Sequence, residues 1–192
     1  RESGKQLETA LANGLLAGGV SVELLGVAPT PAIAFLAAKR GCASAAITAS
    51  HNPYLDNGVK LFANGGVKLS DAQQDAIESH MTGSATVPAA SALQVDLLGE
   101  YASHIVGLFP VLAFANIRVV LDCANGAMSD VAPEVFARLG ATVIVLNDRP
   151  NGKNINEVCG ATHPEVVSEA VRLHKADLGL AFDGDGDRVI AV

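Results

Sequence analysis

The segment Leu178–Arg188 reads LGLAFDGDGDR and joins an apolar strand to an acidic loop. Its first five residues are apolar or small, which predicts a buried strand. Three aspartates that alternate with two glycines follow at once. Ligands of open α/β sheets gather at the carboxyl ends of the strands. The position of the acidic loop therefore indicates both an α/β fold and a functional site at the edge of its sheet.

The three aspartates are suited to a divalent cation if the loop curls. Side chains two positions apart on a flat strand are about 6.6 Å apart, whereas two oxygens on one Mg²⁺ are at most about 4.2 Å apart. Gly184 and Gly186 permit the backbone angles that curling needs. We predict that Mg²⁺ is bound by Asp183, Asp185 and Asp187.

Strand and helix patterns alternate on both sides of a segment rich in small residues and proline. The carboxyl-terminal part predicts strands at 117–121, 142–146 and 178–182 and helices at 132–139 and 164–175. The amino-terminal part predicts strands at 20–25, 43–48 and 59–62 and helices at 3–17, 31–40, 71–81 and 96–109. Ser3, Thr30 and Ser70 are the predicted caps of the first three of these helices, Ser70 with Gln73 in a capping box, and Asn64-Gly65 predicts a hairpin turn. We read 83–92 as a linker. This alternation predicts α/β layers with a largely parallel sheet in each part.

Composition limits the classes of partner. The 192 residues carry a net charge of −7, which argues against nucleic acid and anionic membranes as main partners. No apolar run reaches the roughly 18 residues of a membrane helix, and the three scattered cysteines are expected to be reduced thiols of a cytoplasmic protein. The chain begins at Arg1 and stops within an apolar run, so we expect it to be a piece of a longer protein.

A second candidate site is the segment Ile47–Pro53, ITASHNP, which follows an apolar strand. One interpretation is that Ser50 only caps a turn there, since Asn-Pro is a common turn dipeptide. A Ser-His-Asp hydrolase is disfavoured because the GxSxG turn is absent from the sequence. A serine that carries a phosphoryl group needs an exposed hydroxyl, cations and a group that moves a proton. The metal, Arg188, His51 and Lys60 are candidates for these roles.

Two other motifs compete for the acidic loop. An EF-hand follows a helix and has glycine where Arg188 stands, so it does not fit. A phosphatase of the haloacid dehalogenase type has Asp-x-Asp-Gly after an apolar strand, and Asp183–Gly186 matches this start. Asp187 replaces the residue that usually follows. A phosphatase with Asp183 as the nucleophile therefore stays as the alternative.

Taken together, the motifs resemble those of the α-D-phosphohexomutases. TASHNP resembles the phosphoserine loop of that family, DGDGDR resembles its metal loop, and Lys60 stands where the family has a lysine near the reacting oxygen. RESGKQLETAL at the start resembles the family's first-domain helix. PNGKNINEVCGAT, at 150–162, is similar to the phosphoglucosamine mutase branch.

The resemblance implies two consecutive three-layer α/β/α domains with mixed, largely parallel sheets, both incomplete, at 1–110 and 111–192. It implies a cytoplasmic four-domain enzyme that interconverts glucosamine 6-phosphate and glucosamine 1-phosphate through a bisphosphate. Phosphomannomutase or phosphoglucomutase activity is the alternative within the family. The partners would be a hexosamine or hexose phosphate, its 1,6-bisphosphate and, in a homodimer, a second copy. This piece by itself is expected to be inactive.

The resemblance also assigns roles to residues. Ser50 would be the phosphoserine and would bind the metal through its phosphate, together with the three aspartates. Lys60 would be the general acid and base, and we expect burial or nearby cations to lower its pKa. Arg188 would be a fixed cation for the phosphate, and His51 would help to position it.

Overall fold

The computed structural model describes residues 1–81 and 91–192. The helices are α1 (Gly4–Ala17), α2 (Thr30–Arg40), α3 (Asp71–Ser79), α4 (Leu98–Gly107), α5 (Met128–Arg138) and α6 (Pro164–His174). The strands are β1 (Glu23–Leu24), β2 (Ser44–Ile47), β3 (Val59–Ala63), β4 (Val67–Lys68), β5 (Leu93–Gln94), β6 (Arg118–Asp122), β7 (Thr142–Leu146), β8 (Leu178–Phe182) and β9 (Val189–Ala191). Residues 83–90 of the predicted linker lie outside the described residues.

The carboxyl-terminal unit has a four-stranded sheet in the order β7-β6-β8-β9. The strand β6 pairs in parallel with β7 and β8, and β9 pairs antiparallel to β8. Alternate residues of β6 point to opposite faces: Val119 packs with Ala132 of α5, and Val120 packs with Val167 of α6. Helices therefore cover both faces of a mixed, mainly parallel sheet, and the predicted three-layer arrangement is confirmed.

The amino-terminal unit is built from two smaller sheets. The strands β2, β3 and β4 form an antiparallel sheet, and β1 pairs in parallel with β5. The helix α2 packs Ile33 against Ala46 and Phe62 of the antiparallel sheet. The predicted turn at Asn64-Gly65 is confirmed, since it joins β3 to β4 with Gly65 at φ 90°. The boundary between the domains at residue 110 stays a prediction.

The first turns of α1, α2 and α3 show whether the three predicted capping residues act as caps. The capping box of Ser70 and Gln73 is confirmed at α3. Thr30 was predicted as the cap of α2, but the helix starts at Thr30 and its hydroxyl donates to Asp185 instead. Ser3 precedes α1 without a side-chain cap because its hydroxyl accepts a hydrogen bond from Asn57.

Two elements show the largest differences from their predicted bounds. The strand expected at 20–25 is reduced to two paired residues because its partner β5 is equally short. The helix expected at 132–139 starts four residues earlier, at Met128, because the Ala127 N–H donates to the Gly184 carbonyl oxygen and anchors the first turn. Among the described residues, no helix has the length and apolar character to cross a membrane.

Candidate active site

The acidic loop after β8 curls as its sequence predicts. The Gly186 N–H donates to the Asp183 carbonyl oxygen at 3.1 Å, and Gly186 has a φ of 70°. One carboxylate oxygen from each of Asp183, Asp185 and Asp187 lies within 4.8 Å of the others. This spacing is close to the roughly 4.2 Å that separates two opposite oxygens on Mg²⁺. The three side chains that the sequence predicts as metal ligands are therefore brought together.

Gly184 is the point at which the acidic loop touches the serine loop. A Cβ at this position would lie 2.7 Å from Ile155 Cδ1, 2.8 Å from the Ser50 carbonyl oxygen and 2.9 Å from Asn156 Nδ2. Its own carbonyl oxygen accepts a hydrogen bond from the Ala127 N–H. A side chain would therefore push the two loops apart, which explains the need for glycine here.

We expect Gly184→Ala to destabilise the fold by about 1–3 kcal/mol, the usual cost of overpacking, and to weaken metal binding although no carboxylate is changed. Thermal unfolding and Mn²⁺ titration of the intact protein measure the two effects. Gly99→Ala is the matched control, because Gly99 lies in α4 and, apart from its neighbours and helix backbone, no described atom is within 4 Å of an added Cβ. Equal behaviour of the two variants would contradict the close approach of the loops.

Ser50 lies directly against the acidic loop. Its hydroxyl donates to Asp183 Oδ2 at 2.6 Å, and Arg188 Nη2 donates to Ser50 Oγ at 3.2 Å. Ser50 has a φ of 49°, a left-handed conformation that is uncommon for a residue other than glycine. Such strain is often held at functional sites. Two segments 133 positions apart in the sequence thus meet through the hydroxyl of Ser50.

The backbone of the serine loop is held by two side chains that the sequence analysis did not assign to the site. Arg1 donates to the carbonyl oxygens of Ser50 at 2.8 Å and Asn52 at 3.0 Å. Asn156, which is buried, donates from its amide to the same two oxygens at 2.9 and 3.1 Å. These bonds fix the loop in its strained conformation, with the hydroxyl of Ser50 turned toward Asp183.

Asp185 has two very different carboxylate oxygens. Its Oδ2 accepts hydrogen bonds from Thr30 Oγ1 at 2.9 Å, Thr48 Oγ1 at 3.0 Å and Lys60 Nζ at 3.3 Å. Its Oδ1 is buried and has no hydrogen-bond partner among the described residues. A buried carboxylate oxygen without a partner costs free energy unless a cation binds it. The donor set and this oxygen therefore fit a hard divalent metal ion.

Burial works to raise the pKa of Asp185, but the hydrogen bonds from Thr30, Thr48 and Lys60 and the charge of Lys60 together outweigh it. The pKa of Asp185 is therefore lowered from its ordinary value, and the side chain is ionised at neutral pH. An ionised carboxylate is the form that binds a metal.

Lys60, which the resemblance places near the reacting oxygen, contacts the acidic loop, and its predicted pKa shift is wrong in direction. Its ammonium donates to Asp187 Oδ2 at 2.9 Å as well as to Asp185. Burial works to lower the pKa of Lys60, whereas the hydrogen bonds to Asp187 and Asp185 and the charges of both carboxylates together raise it more. The pKa of Lys60 is therefore raised overall. Its side chain is a protonated ammonium group, which is the form that can donate a proton.

The pKa of Asp183 is shifted in the opposite direction to that of Asp185. It is almost completely buried, and burial raises its pKa despite the hydrogen bond from Ser50; the charges of Asp185 and Asp187 add to the increase. A carboxyl whose pKa is higher in the folded than in the unfolded state stabilises the fold below its ordinary pKa. That contribution is lost as pH rises through the folded pKa.

We therefore expect Asp183→Asn to raise the melting temperature of the metal-free protein at neutral pH by about 2–4 °C, the shift for roughly 1 kcal/mol in a chain of this size. The gain should shrink as pH falls through the raised pKa of folded Asp183 toward the ordinary pKa of an aspartate, where the wild-type carboxyl becomes protonated. Thermal unfolding with a chelator at several pH values measures it. A variant that is less stable than the wild type at neutral pH would contradict the cost of burying an ionised carboxylate at Asp183.

The other two predicted residues differ in their placement. Arg188 reaches Ser50 with a side chain that is 54% exposed, and its N–H donates to Asp183 Oδ1 at 3.1 Å. His51 is exposed, and no hydrogen bond from its ring to another described residue is present. The role predicted for His51 in positioning phosphate stays a prediction.

Comparison with known proteins covers nearly the whole chain. The sequence model for phosphoglucomutase/phosphomannomutase alpha/beta/alpha domain I matches residues 1–87, and that for alpha/beta/alpha domain II matches residues 99–192. Phosphoglucosamine mutase 2 of Shewanella frigidimarina is 46% identical over 100% of this chain and 45% of its own length. Phosphoglucosamine mutase of Acinetobacter baylyi is 50% identical over the same shares.

A solved structure gives the same result. The phosphoglucomutase/phosphomannomutase family protein of Burkholderia thailandensis superimposes with a TM-score of 0.80 and 29% identity, over 100% of this chain and 44% of that one. The chain thus spans slightly under half the length of the relatives that it matches. Sequence models, relatives and structure agree, and the chain belongs to the phosphoglucomutase/phosphomannomutase family, with parts that match its alpha/beta/alpha domains I and II.

Proposed function

We propose that the intact protein is a phosphohexomutase that interconverts glucosamine 6-phosphate and glucosamine 1-phosphate. The observation that carries the proposal is the position of the Ser50 hydroxyl, which lies between Asp183 and the guanidinium of Arg188. The choice of an amino sugar is supported by relatives named phosphoglucosamine mutase that are 46–50% identical. The segment 150–162 supports the same choice.

In the proposed reaction, phosphorylated Ser50 gives its phosphoryl group to the free hydroxyl of the sugar phosphate. The bond between phosphorus and the Ser50 oxygen breaks, a bond from phosphorus to the sugar oxygen forms, and a 1,6-bisphosphate results. The other phosphoryl group then returns to Ser50, which leaves the isomeric monophosphate. The strained conformation of Ser50 and the bonds to its carbonyl oxygen keep Oγ in place in both steps.

Each charged residue near Ser50 has a proposed part in this transfer. Arg188 supplies a fixed cation with several donors for the phosphoryl oxygens. Mg²⁺ bound by Asp183, Asp185 and Asp187 would offset the negative charge of the transferred group. Lys60 is charged in this structure, so it is ready to protonate a departing oxygen. Its action as a base needs a lower pKa, which a cation on Asp185 and Asp187 would produce by offsetting their charges.

The phosphatase alternative assigns Asp183 as nucleophile and makes Ser50 dispensable. Both carboxylate oxygens of Asp183 accept hydrogen bonds, Oδ2 from the Ser50 hydroxyl and Oδ1 from the Arg188 N–H. The side chain is also almost completely buried, which leaves it poorly placed for attack on a substrate. We therefore favour Ser50 over Asp183 as the phosphoryl carrier.

The test is a product assay on the intact protein. Glucosamine, glucose and mannose 6-phosphates are incubated with Mg²⁺ and a small amount of the matching 1,6-bisphosphate, and ³¹P NMR follows the products. We expect conversion to the 1-phosphate, fastest for glucosamine, with little inorganic phosphate. Stoichiometric release of phosphate would support the phosphatase, and faster conversion of glucose or mannose phosphate would reassign the sugar.

The proposal also covers the ligands, the assembly and the cellular compartment of the intact protein. The ligands would be hexosamine phosphates and their bisphosphates, with a homodimer as the proposed assembly and the cytoplasm as the proposed compartment. The net charge of −7 supports the exclusion of nucleic acid and anionic membranes as main partners.

A further inference from the structure

Two buried or half-buried threonines contact the same oxygen of a predicted metal ligand. Thr30, at the first turn of α2, and Thr48, just after β2, both donate their hydroxyls to Asp185 Oδ2. The Thr30 N–H also donates to the Asp185 carbonyl oxygen at 2.8 Å. The main chain and side chain of Asp185 are thus both held by the amino-terminal unit.

The direction of the Thr48 bond is fixed by its neighbours. The Ser50 N–H donates to Thr48 Oγ1 at 2.8 Å, and an N–H can only donate. The Thr48 hydroxyl therefore accepts a hydrogen bond from the Ser50 N–H and donates one to Asp185 Oδ2, because the ionised carboxylate only accepts. One hydroxyl group thus connects the backbone of the serine to the carboxylate of the metal loop.

These bonds decide which oxygen of Asp185 faces the cation. With Oδ2 occupied by two hydroxyls and Lys60, the carboxylate cannot rotate without breaking several hydrogen bonds to a charged group. Oδ1 is then the Asp185 oxygen that has no hydrogen-bond partner among residues 1–81 and 91–192. Groups that hold a metal ligand in this way typically contribute 10- to 100-fold to metal affinity or activity.

We propose that Thr30 and Thr48 are positioning residues that present Asp185 Oδ1 to the metal, and that Thr48 couples this orientation to the Ser50 backbone. The proposal rests on the proposed function, because it takes the three aspartates as the metal site. Neither threonine touches the reacting atoms. Their effect passes through the orientation of Asp185.

The experiment measures metal affinity rather than activity. Mn²⁺ binding to the intact protein is followed by electron paramagnetic resonance for the wild type, Thr30→Val and Thr48→Val. Valine keeps the shape of threonine and lacks the hydroxyl. We expect each variant to bind Mn²⁺ about 10- to 100-fold more weakly. Thr48→Ser keeps the hydroxyl and should restore affinity to within about threefold of the wild type, which a purely structural role of the methyl group would not predict.

Thr142→Val is the matched control, because Thr142 is an exposed strand residue remote in sequence from both loops. The outcomes separate this proposal from the function on which it rests. If Asp185→Asn weakens Mn²⁺ binding while both valine variants bind as the wild type does, the positioning role is overturned and the metal site stands. If Asp185→Asn also binds normally, both are overturned. A strong loss in Thr48→Ser would likewise overturn the role of its hydroxyl.

Discussion

Ser50→Ala is expected to lower the mutase turnover of the intact protein by at least about 10³-fold, within the roughly 10⁶-fold scale seen when a nucleophile is removed. The reason is that Ser50 Oγ is the oxygen to which Asp183 and Arg188 are both directed, at 2.6 and 3.2 Å. Without it, the phosphoryl group has no carrier between the two positions of the sugar. Coupled assay of glucosamine 1-phosphate formation gives the rate.

The matched control for this variant is Ser91→Ala, since Ser91 is exposed and far from both loops in the sequence. It should keep normal turnover. Melting temperatures of both variants show whether the fold is intact. A Ser50→Ala protein with turnover within about threefold of the wild type would exclude Ser50 as the phosphoryl carrier. Asp183 would then be the candidate nucleophile.

Asp185→Asn is expected to weaken divalent metal binding beyond the roughly 100-fold upper range for groups that only support a ligand. Three donors surround Oδ2, so the amide oxygen of the new side chain would take that place. Its NH₂ group would then take the place of Oδ1, the oxygen that we propose to face the cation, and the hydrogens of an NH₂ group repel a cation. Mn²⁺ binding and the Mg²⁺ dependence of turnover both report this loss.

Asp75→Asn is a suitable control for charge, because Asp75 is an exposed residue of α3. It removes the same unit of charge without touching the site. If Asp185→Asn and Asp75→Asn bound the metal equally well, the assignment of the metal to the loop Asp183–Asp187 would be wrong.

Both loops of the site could be predicted from the sequence for a physical reason. Each follows directly from an apolar strand, β2 or β8, and each has residues of unmistakable chemistry within a few positions. The curl of the acidic loop could also be predicted, because flat strand geometry holds Asp183 and Asp185 too far apart for one ion. The side chains around these loops carry no such local signal.

The supporting residues escaped prediction because their contacts join distant parts of the chain. The bond from Thr30 to Asp185 spans 155 positions, and the bond from Asn156 to Ser50 spans 106. Thr30 had a reasonable local interpretation as a helix cap, and tertiary packing overrode it. Arg1 was recognised as part of a family motif, but its bond to the Ser50 carbonyl oxygen depends on the folded position of α1.

The pKa of Lys60 was predicted in the wrong direction for a related reason. Burial was correctly expected to lower it, and burial is its largest single influence. The sequence does not show that Asp185 and Asp187 are both within reach of the ammonium, and their effects together exceed that of burial. The competition between burial and ion pairing is decided by distances that only the fold sets.

The central claim is that Ser50 itself accepts and gives the phosphoryl group. The most direct measurement is tandem mass spectrometry of the intact protein after incubation with Mg²⁺ and a sugar 1,6-bisphosphate whose phosphoryl groups carry ¹⁸O. We predict an acid-stable, ¹⁸O-labelled phosphate on Ser50, which is lost again when unlabelled sugar monophosphate is added. An unlabelled Ser50, or an acid-labile label on Asp183, would contradict the account.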